Sequence, residues 1–122
     1  MIKVLLVDDD DVIRTALSHA LELQYFKVTS LADGSKVVKE ISDAKYDVVV
    51  LDIVMPNKEG LETIEDIRKV DRNIPILAVS GGGKTMPDMN LTIAKMMGAT
   101  DTLAKPFDSI TLIHKIQNIL RN

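Results

Sequence analysis

The sequence predicts a single α/β domain, a parallel five-stranded sheet with helices on both faces. Three observations predict it. The segments Met1–Val7, Val48–Leu51 and Pro75–Ser80 are near-continuous apolar runs, as strands buried on both faces are. Stretches with helical spacing of apolar residues separate them, so β and α alternate five times through short connections. The 122 residues have room for one core and no second domain, with no internal repeat or low-complexity segment to divide them.

The first strand, Met1–Val7, stops at four consecutive acids, Asp8 to Asp11. Such a run repels itself, and a fold tolerates it only with a cation, basic partners or good solvation. A helix begins at Val12, with Asp10 or Asp11 as its N-cap. Val12, Ile13, Ala16, Leu17, Ala20, Leu21 and Leu23 fall on one broad arc, and Arg14, Ser18 and Glu22 face away. Lys27–Leu31 is a weakly signalled second strand. Ala32–Ser35 is a turn with Ser35 as cap, and Lys36–Ala44 is a short helix carrying Val37, Val38 and Ile41.

The third strand, from Val48, ends abruptly in Asp52. Met55-Pro56 turns the chain, Asn57 and Gly60 continue the turn, and a helix runs from about Glu59 to Val70 with Leu61, Ile64 and Ile67 inward. Pro75–Ser80 is the fourth strand. A loop from Gly81 to about Asp88 follows, with Pro87 as breaker, then a helix over Met89–Met97 closed by Gly98. Thr100–Ala104 is the fifth strand and leads to Lys105-Pro106-Phe107. Asp108 or Ser109 caps a last helix, Ile110–Leu120, mainly core but wide enough at its edge for a dimer.

Bulk properties narrow the function. A net charge of −3 gives no strong field for nucleic acid or anionic membrane. The absence of cysteine excludes disulfides, thiolate chemistry and zinc ribbons. At 3% aromatic, a base-stacking platform is not expected. No run approaches the roughly 20 apolar residues of a membrane span, and the first apolar run is too short for a signal-peptide core. A cytoplasmic protein is expected.

Polar groups stand at four strand tips: Asp8 and Asp9, Asp52, Ser80, and Lys105. In open α/β sheets ligands bind outside the carboxyl ends of the strands. If the first, third, fourth and fifth strands are neighbours, these groups share one pocket. Three carboxylates there call for a hard cation, and Mg²⁺ suits oxygen ligands. Lysine, hydroxyl and metal would cradle a phosphoryl group in flight, with Asp52 as nucleophile forming an acyl phosphate. Gly81-Gly82-Gly83 lacks the GK[ST] of a phosphate loop and reads as flexible. His19 and His114 read as surface residues.

The segments VLLVDDD (4–10), VVVLDIVMP (48–56), AVS (78–80) and AKPF (104–107), with Asp8, Asp52, Ser80 and Lys105 spaced by 44, 28 and 25 residues, resemble the receiver domain of two-component response regulators over essentially the whole chain. The resemblance implies a flavodoxin-like sheet in the order 2-1-3-4-5, over residues 1–122 as one domain with no output domain. It implies that Asp52 is the phospho-acceptor and that Asp9, Asp52 and the backbone carbonyl of Val54 ligate Mg²⁺, with Asp8 acting through water. Lys105 would pair with the phosphoryl oxygens. Ser80 would reorient toward them and pass the change to the face of the fourth helix, fifth strand and fifth helix, a face for partner binding on which a homodimer is one option. The donor would be a histidine kinase or histidine phosphotransfer protein. The domain would catalyse only its own phosphorylation and dephosphorylation, and would not bind DNA directly. Lys105-Pro106 is expected to be cis.

The sequence departs from the family pattern in three places. Thr102 stands where many receivers carry an aromatic switch residue, so no aromatic swing is available. The segment from Ser80 to Lys105 is about three residues longer than usual, with the excess around Gly81–Pro87. Val54 and Gly82 occupy positions where polar side chains place a hydrolytic water in some relatives, which predicts a long-lived phosphoryl group. Two alternatives stand beside this reading. A haloacid-dehalogenase-type hydrolase wants a second acid two residues after the nucleophile, where this chain has Val54. A pseudo-receiver would act as an interaction module without phosphate.

Overall fold

Five parallel strands, β1 (Lys3–Val7), β2 (Lys27–Leu31), β3 (Val48–Asp52), β4 (Ile76–Ser80) and β5 (Asp101–Ala104), pair in the order β2-β1-β3-β4-β5. The computed structural model describes residues 1–54, 60–80 and 87–121. Five helices alternate with the strands: α1 (Asp11–Leu23), α2 (Val37–Asp43), α3 (Gly60–Val70), α4 (Pro87–Met97) and α5 (Ser109–Arg121). The strand order is the one the resemblance implied.

Successive strand side chains point to opposite faces, and two cores follow from that alternation. Leu5, Val7, Val49, Leu51, Ile76 and Ala78 meet Val37, Ile64, Ile67 and Ala94 of α2, α3 and α4. Val4, Leu6, Val48, Val50, Leu77 and Val79 meet Leu21 of α1 and Leu112, Ile116 and Ile119 of α5. β3 and β4 are buried along their whole length, which is why they read as unbroken apolar runs. A fully buried side chain such as Leu77 or Ile116 contributes about 1.5–3 kcal/mol. β2 lies at the sheet edge and has no fully buried residue, so its signal is weak.

Several local readings are corrected. In α1, Val12 and Leu23 are exposed, whereas Arg14 is half-buried and the Ser18 hydroxyl is buried. Arg14, Leu17, Ser18 and Leu21 form an i, i+3, i+4, i+7 stripe. That stripe, two of its members polar, faces the protein. Asp10 is the N-cap of α1, accepting from the amides of Val12 and Ile13. Asp33 rather than Ser35 caps the next element, a 3₁₀ turn over Gly34–Lys36 that leads into α2. Helix α4 starts at Pro87 instead of after it, because proline has no N–H to leave unpaired in a first turn. Gly98 closes α4 with φ +122°, and a Cβ there would crowd the Arg68 side chain at 2.9 Å. Asp108 caps α5 by accepting from the Thr111 amide.

Tyr25, just past α1, has φ +67° although it is not glycine, and its side chain is exposed. The left-handed conformation costs an L-residue about 1–2 kcal/mol. Tyr25→Gly should therefore stabilise the fold by about 0.5–1 kcal/mol after glycine's greater freedom in the unfolded chain is allowed for. An unchanged urea midpoint would show the turn to be unstrained.

Candidate phosphoryl-accepting site

The register of the parallel sheet assembles the site. Val7 on β1 pairs with Leu51 on β3, so Asp8 and Asp52 follow side by side. Asp52 pairs with Val79, which puts Ser80 one residue beyond on β4. Ser80 pairs with Ala104, and the Lys105 amide donates to the Ser80 carbonyl at 2.8 Å. The four tips thus sit on consecutive strands at one edge, as the convergence argument required. The Lys105-Pro106 peptide is cis.

Lys105 Nζ lies 3.0 Å from Asp8 Oδ2 and 3.3 Å from Asp52 Oδ2. Ligand oxygens of Asp8, Asp9 and Asp52 lie within 4.8 Å of one another. Asp8 and Asp52 are only 3% and 6% exposed, whereas Asp9 is exposed. Burial pushes the Asp52 carboxyl above its ordinary range, although the Val54 amide and Lys105 oppose the shift. Burial also disfavours the Lys105 charge, but its hydrogen bond to Asp8 and the charges of Asp52 and Asp8 together hold its pKa above the usual value. One lysine cannot neutralise three carboxylates. The residual charge and an all-oxygen donor set fit a hard divalent cation.

The four consecutive acids have separate tasks. Asp8 turns inward, and its Oδ1 also accepts from the Asp10 amide at 2.9 Å. Asp10 caps α1 and Asp11 pairs with Arg14. Asp9 is left at the mouth of the pocket. Three of the four acids thus have a hydrogen-bond or ion-pair partner, which explains how the run is tolerated.

Val54 follows Asp52 and donates its amide to Asp52 Oδ1 at 2.9 Å, orienting the carboxylate. Its side chain is exposed, and an isopropyl group cannot hold a water by hydrogen bonding. Ser80 is fully buried, and its Oγ finds no hydrogen-bond partner among the described residues. An orphaned buried hydroxyl costs about 1–3 kcal/mol, and an oxygen-rich group bound at Asp52 would supply the missing partner. Thr102 is half-buried on β5 beside Ala78. Pro56, Asn57 and Gly81–Gly83 lie outside the described residues. His19 and His114 are exposed, as expected.

Two site residues escaped the sequence reading. Gly60 was taken as a turn residue, but it opens α3 against the backbone of the acceptor strand. A Cβ on it would lie 2.2 Å from Ile53 Cα and 2.6 Å from the Asp52 carbonyl oxygen. Gly60→Ala should therefore displace Asp52, slowing phosphoryl uptake at least tenfold and destabilising the fold by about 1–3 kcal/mol. Wild-type uptake in that variant would show that the Asp52–Ile53 backbone gives way freely. Only the Gly-Leu-Glu opening of an apolar-periodic helix hinted at this packing. The other residue, Arg14, sat on the stripe misread as outward.

The chain matches the response regulator receiver domain family over residues 4–117. It is 38% identical over 121 residues to a transcriptional regulatory protein CpxR homolog of Haemophilus influenzae, covering 99% of this chain and 51% of the relative. It is 35% identical over 118 residues to the regulatory protein VirG of Agrobacterium tumefaciens, covering 97% and 43%. The chain thus spans about half the length of these curated relatives or less. Among solved structures, the Vibrio cholerae chemotaxis protein CheY4 superposes with a TM-score of 0.88 at 34% identity, covering 98% of this chain and 99% of that one. The receiver domain of the Francisella response regulator 1452 gives 0.87 at 29% identity, with 99% and 98% covered.

Proposed function

This chain belongs to the response regulator receiver domain family, and on that footing we propose that Asp52 accepts a phosphoryl group from a phosphohistidine donor. The observation that carries the reading is the meeting of Lys105 Nζ with both Asp8 and Asp52, beside Asp9, at one sheet edge. An Asp52 oxygen attacks phosphorus, the P–N bond of the donor breaks, and the imidazole departs with the bonding pair. Lys105 lies where charge builds on the transferring oxygens, and Ser80 Oγ, one residue beyond Asp52's pairing partner Val79, is a buried donor with no partner among the described residues. Asp9, Asp52 and the Val54 carbonyl would hold Mg²⁺, with Asp8 behind them. Bound there, the metal supplies charge neutralisation. The domain does this chemistry on itself alone.

The donor is a histidine kinase or histidine phosphotransfer protein. An apolar groove of about 300 Å³, lined by Ile13, Ala16, Leu17, Pro106 and Phe107, opens directly beside Lys105 and supports docking there. The output face is that of α4, β5 and α5, where Met96 and Ile110 are exposed and Lys115 pairs with Asp101 at 3.2 Å. A second copy of the chain or a downstream protein would bind it. With Thr102 in place of an aromatic, the change reaches that face through Ser80 and the β4–β5 pairing. Among the described residues no helix is long and apolar enough to cross a membrane.

Incubation with a phosphohistidine donor and Mg²⁺ should label the chain with a hydroxylamine-labile phosphate, and EDTA should stop the labelling. A pseudo-receiver would bind the same donor and remain unlabelled.

A further inference from the structure

We propose that Arg14 is a positioning residue for the acidic site, holding the turn between β1 and α1 so that Asp9 stays within reach of a cation shared with Asp52. The inference rests on the proposed Mg²⁺ site. Arg14 Nη1 donates to the backbone carbonyl of Asp8 at 2.8 Å, and its Nη2 pairs with Asp11. The side chain is 18% exposed and spans the acidic run from its first residue to its last. Among the described residues no other basic side chain hydrogen-bonds the main chain of this run. Asp8 is meanwhile fixed by three further bonds: its amide to Leu31, its Oδ1 from Asp10 and its Oδ2 from Lys105.

Among the described residues Asp9 has no side-chain hydrogen bond or ion pair of its own, and its place depends on the peptide units on either side. The Asp8 carbonyl belongs to the peptide that joins Asp8 to Asp9. A guanidinium fork bound at once to that carbonyl and to Asp11 clamps both sides of Asp9. Outer-shell clamps of this kind typically change metal affinity 10- to 100-fold.

Charge and position make opposite predictions here, which gives the test its power. Arg14 brings a positive charge into direct contact with the acidic run, at the Asp8 carbonyl and the Asp11 carboxylate. If it acts only through that charge, removing it strengthens cation binding. If it acts by position, removing it weakens binding.

The experiment is a Mg²⁺ titration of the whole chain followed by amide chemical shifts of residues 8–11 and 52, for wild type, Arg14→Gln, Arg14→Lys and Asp11→Asn. Positioning predicts Mg²⁺ binding weakened roughly tenfold in Arg14→Gln. Arg14→Lys, with charge but no fork, should recover only part of the loss. Asp11→Asn should lose severalfold, a direction that removal of a nearby negative charge also gives, so the Arg14 variants decide. Thermal unfolding of each variant accompanies the titration. Tighter or unchanged binding in Arg14→Gln, whatever its unfolding temperature, overturns the inference while leaving the Mg²⁺ site intact. No saturable shift in wild type overturns the Mg²⁺ site and the inference with it.

Discussion

Lys105→Ala should slow phosphoryl uptake from acetyl phosphate by roughly 100-fold, the loss expected when one preorganised donor to a developing charge is removed. The same change should destabilise the fold by about 3 kcal/mol at neutral pH, because it leaves two buried carboxylates without their cation. The two effects separate by pH. With Lys105 gone, no lysine among the described residues opposes the burial of Asp52, and its folded pKa rises further above the unfolded value. A carboxyl with a raised folded pKa favours folding where it is protonated and opposes it as pH rises through that pKa. The gap between wild type and variant should therefore be widest near neutrality and close as the pH falls through the carboxylate range. Urea unfolding at several pH values measures it. A gap that stays constant with pH would mean that Lys105 stabilises by packing rather than by charge.

Asp52→Asn should abolish uptake altogether, yet stabilise the fold. Asp52 already has a raised pKa because it is buried beside Asp8, so at neutral pH its ionised form works against folding. Neutralising it should add on the order of 1 kcal/mol without divalent metal. By the same sign argument the gain disappears in acid, where wild-type Asp52 is itself protonated. Mg²⁺ inverts the order. At 100 times its dissociation constant it should add about 2.7 kcal/mol to wild type and much less to the variant, which lacks one ligand. A variant less stable than wild type in metal-free buffer would show that Asp52 earns its place through the Lys105 contact.

The site was legible in the sequence because parallel strands deliver their C-terminal residues to one edge. Asp8, Asp52 and Ser80 each end an apolar run, Lys105 follows a mixed strand, and the chain order of these strands is visible. Their adjacency was not visible, since it depends on a strand order that came from the family resemblance. The helices were read less well on their buried polar side. Arg14 and Ser18 occupy the stripe of α1 that faces the protein, and hydrophobicity alone placed them outside it. Val12 and Leu23 failed in the opposite direction, as apolar residues left in solvent. Gly60 was invisible for another reason. Its role is a backbone approach to Asp52 and Ile53, and close approach of two backbone segments leaves no periodic mark. The start of α4 was misplaced because proline was read as a breaker where it serves as a first helical residue.

The most direct test of the central claim is the intact mass of the chain after incubation with Mg²⁺ and acetyl phosphate, for wild type and Asp52→Asn. A gain of one phosphoryl group in wild type alone, blocked by EDTA, is the predicted result. An equal gain in both proteins would place the acceptor elsewhere and contradict the assignment of Asp52.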